Sequence, residues 1–337
     1  MITNKLPGSK SPYKLEAGEG LRYSFGTQLA IVIARAEDLG HAMAGAVLSG
    51  AKGSSFPIHR HAATHEAWFI LEGMVAVVLG DKEYTLTPGS YVNIPPGTAH
   101  GFTFQDHRSK FVAWTFGGNA NKLYAAIGSP YDGTVYPDRG QAVDWGRLTA
   151  AVDTEVLTRS ETKPGKVLSA FPAGREAFVL GPWEGERMLA AEQLYTFQGT
   201  QAHSDNLFIS LLTEGPIGPE IPRHFHDTVT ETFFCLHGAL EMFVNDGYLT
   251  LEPGDFLHIP PGAIHSFKLL RNDTRFIGFL SPGNFESFFR YLCQPYDGHI
   301  YPLVPPPFRF DRVLQHMGEL DLHLLGRPGG PPPAGAA

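Results

Sequence analysis

Apolar residues along this chain come in short runs rather than long stripes. The runs at 67–71, 74–79, 232–236 and 240–244 are continuous or alternate with polar neighbours, and Gly, Pro or an Asp-Gly pair separates them. A period of two is the pattern of a strand with one face turned inward. Gly and Pro contribute 38 and 27 residues, which leaves little room for long helices and supplies many tight turns. Two short helices are expected, near 121–127 and 284–292, each ahead of a Pro-Tyr-Asp-Gly turn. Many short strands at this spacing predict an all-β fold, a sandwich or a jelly-roll barrel whose closure removes exposed sheet edges.

The pattern is also written twice. His59, His61, Glu66 and His100 reappear as His224, His226, Glu231 and His265 at a constant offset of 165 positions. The same offset relates Gly20 and Arg22 to Gly185 and Arg187, Gly73 to Gly238, and Pro88-Gly89 to Pro253-Gly254. It carries Pro130-Tyr131-Asp132-Gly133 onto Pro295-Tyr296-Asp297-Gly298. Solenoid repeats run about 20–50 residues, so a unit this long is a whole domain. The expected organisation is a barrel over 1–145, a linker and entry segment over 146–178, a second barrel over 179–325, and a disordered low-complexity tail over 326–337.

Composition narrows the class. At 337 residues, 43% hydrophobic and 18% charged, the chain can bury two cores. A net charge of -8 without a Lys/Arg cluster excludes the basic stripe that nucleic-acid binding requires. No apolar stretch reaches the ~18 residues of a membrane span, and the N-terminus lacks the apolar core of a signal peptide. The two cysteines, Cys235 and Cys293, cannot build a disulfide framework and suit a reducing, cytoplasmic setting. A homodimer is compatible with the sequence and not required by it.

The chemistry lies in the fifteen histidines. Residues i and i+2 of a strand share a face, so His59 and His61 can both point into a barrel, and His224 and His226 likewise. A turn over the next four residues returns Glu66 or Glu231 beside them. A Pro-Pro-Gly bend at 95–97 or 260–262 delivers His100 or His265 from a later strand. Three imidazoles and one carboxylate suit a divalent transition metal, two per chain, with iron first and Mn, Co, Ni, Cu or Zn as alternatives. Glu66 and Glu231 are expected to serve both as ligands and as bases that take a proton from a bound enol. His65 is expected outside the ligand set, and His203, His237, His258 and His299 in structural or solvated roles. By alternation Trp68, Phe102, Phe233 and Phe267 face the same side as the ligands, as barrel core or as walls of a flat apolar slot.

The duplicated His-x-His-x4-Glu … Pro-x-Gly-x2-His pattern with its flanking glycines resembles the cupin superfamily, specifically its two-barrel members. The stretches FPIHRHAATHEAWFILEG and HFHDTVTETFFCLHG, the Pro-Tyr-Asp-Gly turns and the early GEGLRYSFG resemble the bacterial-type quercetin 2,3-dioxygenases. The resemblance runs from about Tyr13 to Leu324. One departure is visible: cupins often carry Asn four residues after the last histidine, where this chain has Phe104 and Leu269, and altered packing is expected there. The resemblance implies two tandem cupin barrels and a metal-dependent, ring-cleaving dioxygenase acting on a flavonol, with O2 consumed and carbon monoxide released. It also implies that Tyr23 lies near the aromatic substrate. Alternatives are a two-barrel isomerase, cyclase or decarboxylase of secondary metabolism, and a storage protein of the same fold.

Overall fold

The computed structural model describes residues 2–40, 43–140, 142–158 and 160–325. Strands dominate it. The longest helix among the described residues has seven residues, Glu286–Leu292, and none is long and apolar enough to cross a membrane. Both expected helices form, as Leu123–Ile127 and Glu286–Leu292, each extended at its start by a short 3-10 turn. The described chain divides into two compact units, 18–185 with 202–205, and 2–17 with 186–201 and 206–325.

The first unit is a pair of sheets. One runs in the order Ser129–Pro130, Leu21–Phe25, Gln28–Ala34, Met43–Gly50, Lys110–Phe116, His65–Glu72, Tyr91–Ile94, Phe178–Leu180. The other runs Thr154–Val156, Ser55–His61, His100–Phe104, Val75–Leu79, Lys82–Leu86, Lys163–Pro164. Lys82–Leu86 alternates exposed and buried positions, whereas Gln28–Ala34 and Val75–Leu79 are buried throughout, as expected of strands covered on both faces. Phe56, Trp68, Phe102, Phe104 and Phe111 belong to the apolar core. Gly73 makes the reversal after His65–Glu72 at φ +67, and a Cβ there would lie 2.7 Å from Ser109 Cα, so only glycine fits.

The second unit repeats this plan. Its larger sheet is ordered Tyr13–Leu15, Phe256–Ile259, Thr230–His237, Thr274–Ser281, Ile209–Gly215, Gln193–Gly199, Glu186–Ala190, Gln294–Pro295. The smaller holds Gly247–Leu251, Leu240–Val244, His265–Leu269, His224–Phe225 and His323–Leu324. Phe104 and Leu269 are both buried in their cores.

The units depart from the boundaries that the repeat suggests. Tyr13–Leu15, written ahead of the first barrel, pairs antiparallel with Phe256–Ile259 of the second unit. Its repeat counterpart, Phe178–Leu180, pairs with Tyr91–Ile94 of the first. Segment 146–178, expected as a linker, contributes the helix Gly146–Ala151 and the strands Thr154–Val156 and Lys163–Pro164 to the first unit. These pieces are two to six residues long, too short to print a period on the sequence, and they cover edges that would otherwise be unpaired. The expected disordered tail, 326–337, lies outside the described residues.

Candidate metal centre and aromatic cavity

Strand geometry brings His59, His61 and His100 together in the first unit, and His224, His226, Glu231 and His265 in the second. His59 and His61 lie on Ser55–His61, Glu66 is the second residue of the next strand, and His100 opens His100–Phe104 directly opposite His59. In the second unit His224 pairs with His265 in the same way. All eight side chains are buried. Ring centroids of His59 lie 5.0 Å from His61 and 4.1 Å from His100. The matching separations around His224 are 5.1 and 4.3 Å.

The turn between His61 and Glu66 is held by a residue far along the chain. Asp153 accepts hydrogen bonds from the backbone N–H groups of Ala63 and Thr64 and from the Thr64 hydroxyl, each at 3.0 Å. In the second unit Asp321 does the same for Asp227, Thr228 and Val229 at 2.7 to 3.1 Å. Burial opposes the Asp321 charge, but the Thr228 hydroxyl, these backbone donors and His226 outweigh it and hold the carboxyl below its ordinary range.

The same straps orient imidazoles. His61 Nδ1 bonds Thr154 Oγ1 at 2.9 Å, and His226 Nδ1 donates to the carbonyl of Asp321. Nδ1 of His59, His100, His224 and His265 donate to the carbonyls of Pro57, Thr98, Pro222 and Ala263 at 2.8 to 3.0 Å. A carbonyl only accepts, so these rings carry their proton on Nδ1 and leave the Nε2 lone pair free.

Those lone pairs face acceptors. His61 and His100 Nε2 lie 3.2 and 3.4 Å from the two oxygens of Glu66, and His226 and His265 Nε2 lie 3.1 and 3.4 Å from those of Glu231. All four nitrogens are buried and have no hydrogen-bond partner. Buried acceptors converging on acceptors are satisfied by a shared cation, and the mixed nitrogen–oxygen donor set fits a divalent transition metal. In the second unit one ligand atom from each of the four residues lies within 4.8 Å of every other. Burial and the neighbouring imidazoles hold His59 and His224 well below the usual histidine range, in the neutral form that ligates. Burial would raise Glu66 and Glu231, but the closely placed His61 and His100, and His226 and His265, outweigh it and keep both carboxyls low and ionised.

The aromatic residues singled out by alternation divide between the units. Phe233 and Phe267 line a cavity of about 220 Å³ in the second unit, whose wall also contains His224 and Glu231. Tyr195, Phe285 and Phe289 line it as well. These three were not signalled by ligand spacing, since they come from distant elements. Trp68 and Phe102 instead pack in the core of the first unit, 5.7 Å apart. The Trp68 indole Nε1 donates to Glu66 Oε2 at 2.8 Å. Tyr23 packs half-buried at the margin of that core, paired with Ala30 and Pro130.

The remaining histidines fall outside the ligand sets. His65 is buried and bonds Asn93 Oδ1 through Nε2 at 2.9 Å. The His203 ring lies tilted against Phe171 at 4.5 Å, His258 bonds the Ser11 carbonyl, His237 bonds the Asp273 carbonyl, and His299 is exposed.

Comparison with known proteins follows the same lines. Residues 47–114 and 211–275 each match the family described as the cupin domain. The chain is 40% identical over 332 residues to quercetin 2,3-dioxygenase of Bacillus subtilis (strain 168), covering 96% of this chain and 98% of that protein. It is 31% identical over 107 residues to quercetin 2,3-dioxygenase of Aspergillus japonicus, covering 30% and 31% of the two chains. Among solved structures it is similar to oxalate decarboxylase from Bacillus subtilis, with TM-score 0.51 and 11% identity over 80% of this chain and 75% of that one. Procruciferin, an 11S globulin from Brassica napus, aligns with TM-score 0.56 and 11% identity over 82% and 85%. At that identity the last two speak for the fold alone.

Proposed function

This chain belongs to the quercetin 2,3-dioxygenase family, and from that premise we propose that it is a metal-dependent dioxygenase that opens the ring of a flavonol such as quercetin. Its co-substrate is O2, and its products are a depside ester and carbon monoxide. The observation that carries the reading is a buried carboxylate, Glu231, that belongs to a three-histidine cluster and also forms part of an aromatic-lined cavity. A divalent transition metal, with iron first among the candidates, supplies when bound the Lewis acidity that the enolised substrate and O2 require. His59, His61, Glu66 and His100 would hold one such ion and His224, His226, Glu231 and His265 a second.

The protein's own part is positioning and proton transfer. An ionised carboxylate on the cavity wall accepts the proton of the flavonol 3-hydroxyl and returns it later in the cycle. Phe233 and Phe267 offer flat apolar faces to the substrate rings, which fixes the reacting edge and excludes water. Among the described residues no Arg or Lys lines the cavity, so a small dianion such as oxalate finds no counter-charge there. Two free, buried thiols, Cys235 and Cys293, fit a reducing cytoplasmic setting.

The test is to mix metal-loaded protein with quercetin anaerobically, admit O2, and follow the flavonol absorbance together with headspace carbon monoxide. About one carbon monoxide per flavonol consumed is the expected result from the chemistry proposed. Quercetin that stays intact with every divalent metal tried would refute the reading.

A further inference from the structure

If a flavonol is the substrate, as proposed above, the geometry points to the second barrel as the site that admits it, and to the first as a metal site closed by its own aromatic residues. The histidine rings are spaced almost alike in the two barrels, although the carboxylate joins the group within 4.8 Å only in the second, and the larger difference lies in what surrounds them.

In the first unit Phe56 fills the space next to the cluster. Its ring centroid lies 4.9 Å from that of His59, 5.6 Å from Phe102 and 4.8 Å from Trp145. Phe25 packs behind it, edge-on to Phe56 at 6.1 Å and stacked on Tyr124 at 6.0 Å. The repeat offset places Ala190 at the position of Phe25 and Ile221 at the position of Phe56. Both Ala190 and Ile221 line the cavity of the second unit. Two aromatic rings in one barrel are thus a methyl group and a branched aliphatic chain in the other. The exchange also runs in reverse, because Ala30 and Ala120 of the first barrel become Tyr195 and Phe285 of the second. Both line the cavity, and the Phe285 ring lies 4.5 Å from that of His226 without closing it.

The carboxylates differ in the same sense. Glu66 Oε2 already accepts the indole N–H of Trp68 at 2.8 Å, and the Trp68 ring stands 5.5 Å from His100. A carboxylate committed to an internal donor is a poorer acceptor for a substrate hydroxyl, and the indole occupies the approach. The Trp68 position is Phe233 in the second barrel, which has no such donor, so Glu231 keeps its acceptor capacity toward the cavity. The cavity, at about 220 Å³, is slightly below the ~300–1,000 Å³ usual for drug-sized ligands, so a flat flavonol should fill it.

The decisive measurement is an anaerobic calorimetric titration of the metal-loaded full chain with quercetin, with bound metal per chain determined on the same samples. One quercetin per chain is expected in a protein that carries metal in both barrels. Ala190→Phe and Ile221→Phe, which copy the first barrel's plug into the second, should each weaken binding at least about tenfold by overfilling the cavity, with metal content unchanged. Phe56→Ile combined with Trp68→Phe should add a second binding event. Should Ala190→Phe fail to fold, Ile221→Phe tests the same wall, and the wild-type stoichiometry needs no variant. Two quercetins per chain in the wild type, or one whose affinity ignores both plugs, would overturn the assignment and leave the flavonol reading standing. No binding to any metal-loaded form would overturn the flavonol reading, and this assignment with it.

Discussion

Replacing Tyr13 by alanine should loosen the second barrel and leave the first untouched, although Tyr13 precedes the first in sequence. Tyr13 is fully buried and Leu15 is 2% exposed. The Tyr13 ring lies 5.7 Å from Phe256 and 5.3 Å from His258. Its neighbours anchor the same edge: Lys14 Nζ reaches Asp255 at 2.8 Å, and the backbone N–H of Ala17 donates to Asp255 at 3.1 Å. Removing a buried aromatic side chain costs about 3–5 kcal/mol, from lost transfer energy and the cavity left behind. For a unit of this size that is a fall of roughly 10 °C in its melting transition. Hydrogen exchange read by mass spectrometry separates the units: peptides over 256–259 and 230–237 should lose protection while 91–94 keeps it. Phe178→Ala should do the reverse, because Phe178 opposes Asn93 in the first unit. Lost protection at 91–94 in the Tyr13 variant, or a shift under about 1 °C where the cavity cost demands ten, would refute the strand assignment.

Four further outcomes follow from the site and its supports. Glu231→Gln should lower flavonol turnover by about 10²–10⁴, the usual worth of a general base, measured as carbon monoxide released per metal-loaded chain. Asp321→Ala should weaken metal binding in the second barrel by roughly 10–100-fold, as losing an outer-shell support does, read by competition with a chromogenic chelator. Stripping the metal should lower the melting temperature, because an ion at about 100 times its dissociation constant contributes about 2.7 kcal/mol; calorimetry with and without chelator measures it. Burial, aided by Asp255, pushes the Cys235 thiol up to about 12 from 9.0. The unfolded chain therefore ionises first, so this contribution is intact below pH 9 and is lost as pH climbs toward 12. Urea titrations across that window should show stability falling, and Cys235 should resist alkylation at pH 8 until the protein unfolds.

The candidate ligands were legible because strand geometry prints itself on the sequence. His59 and His61 share a face only at a spacing of two, and a repeat of all four residues has no simpler reading than two metal sites. The straps were not legible. Asp153 and Asp321 perform the same task, yet they do not stand at the constant repeat offset, and the strands beside them, Thr154–Val156 and His323–Leu324, are three and two residues long. The strand exchange was hidden for a different reason: Tyr13–Leu15 has the alternating burial of an ordinary edge strand, and nothing local says which copy of a duplicated partner it will join. The unequal cavities stood between these cases. Phe25 against Ala190 and Phe56 against Ile221 can be read by laying the two repeats together, but their weight appears only when the rings are seen beside His59.

The exchanged strands also set a timetable for synthesis. Ser11 and its partner His258 are 247 positions apart, so at ~5–20 residues per second the first strand leaves the ribosome roughly 10–50 s before its own partner exists. In that interval the nascent chain presents Tyr91–Ile94, which stands at the repeat position of the true partner, as a vacant berth of similar pattern. Emergence of Phe178–Leu180, which pairs with that edge in the folded chain, is expected to free Tyr13–Leu15 for Phe256–Ile259. Ribosome-bound chains halted shortly before residue 178 should therefore protect 13–15 against proteolysis, and chains halted shortly after Phe178–Leu180 clears the exit tunnel should expose it again.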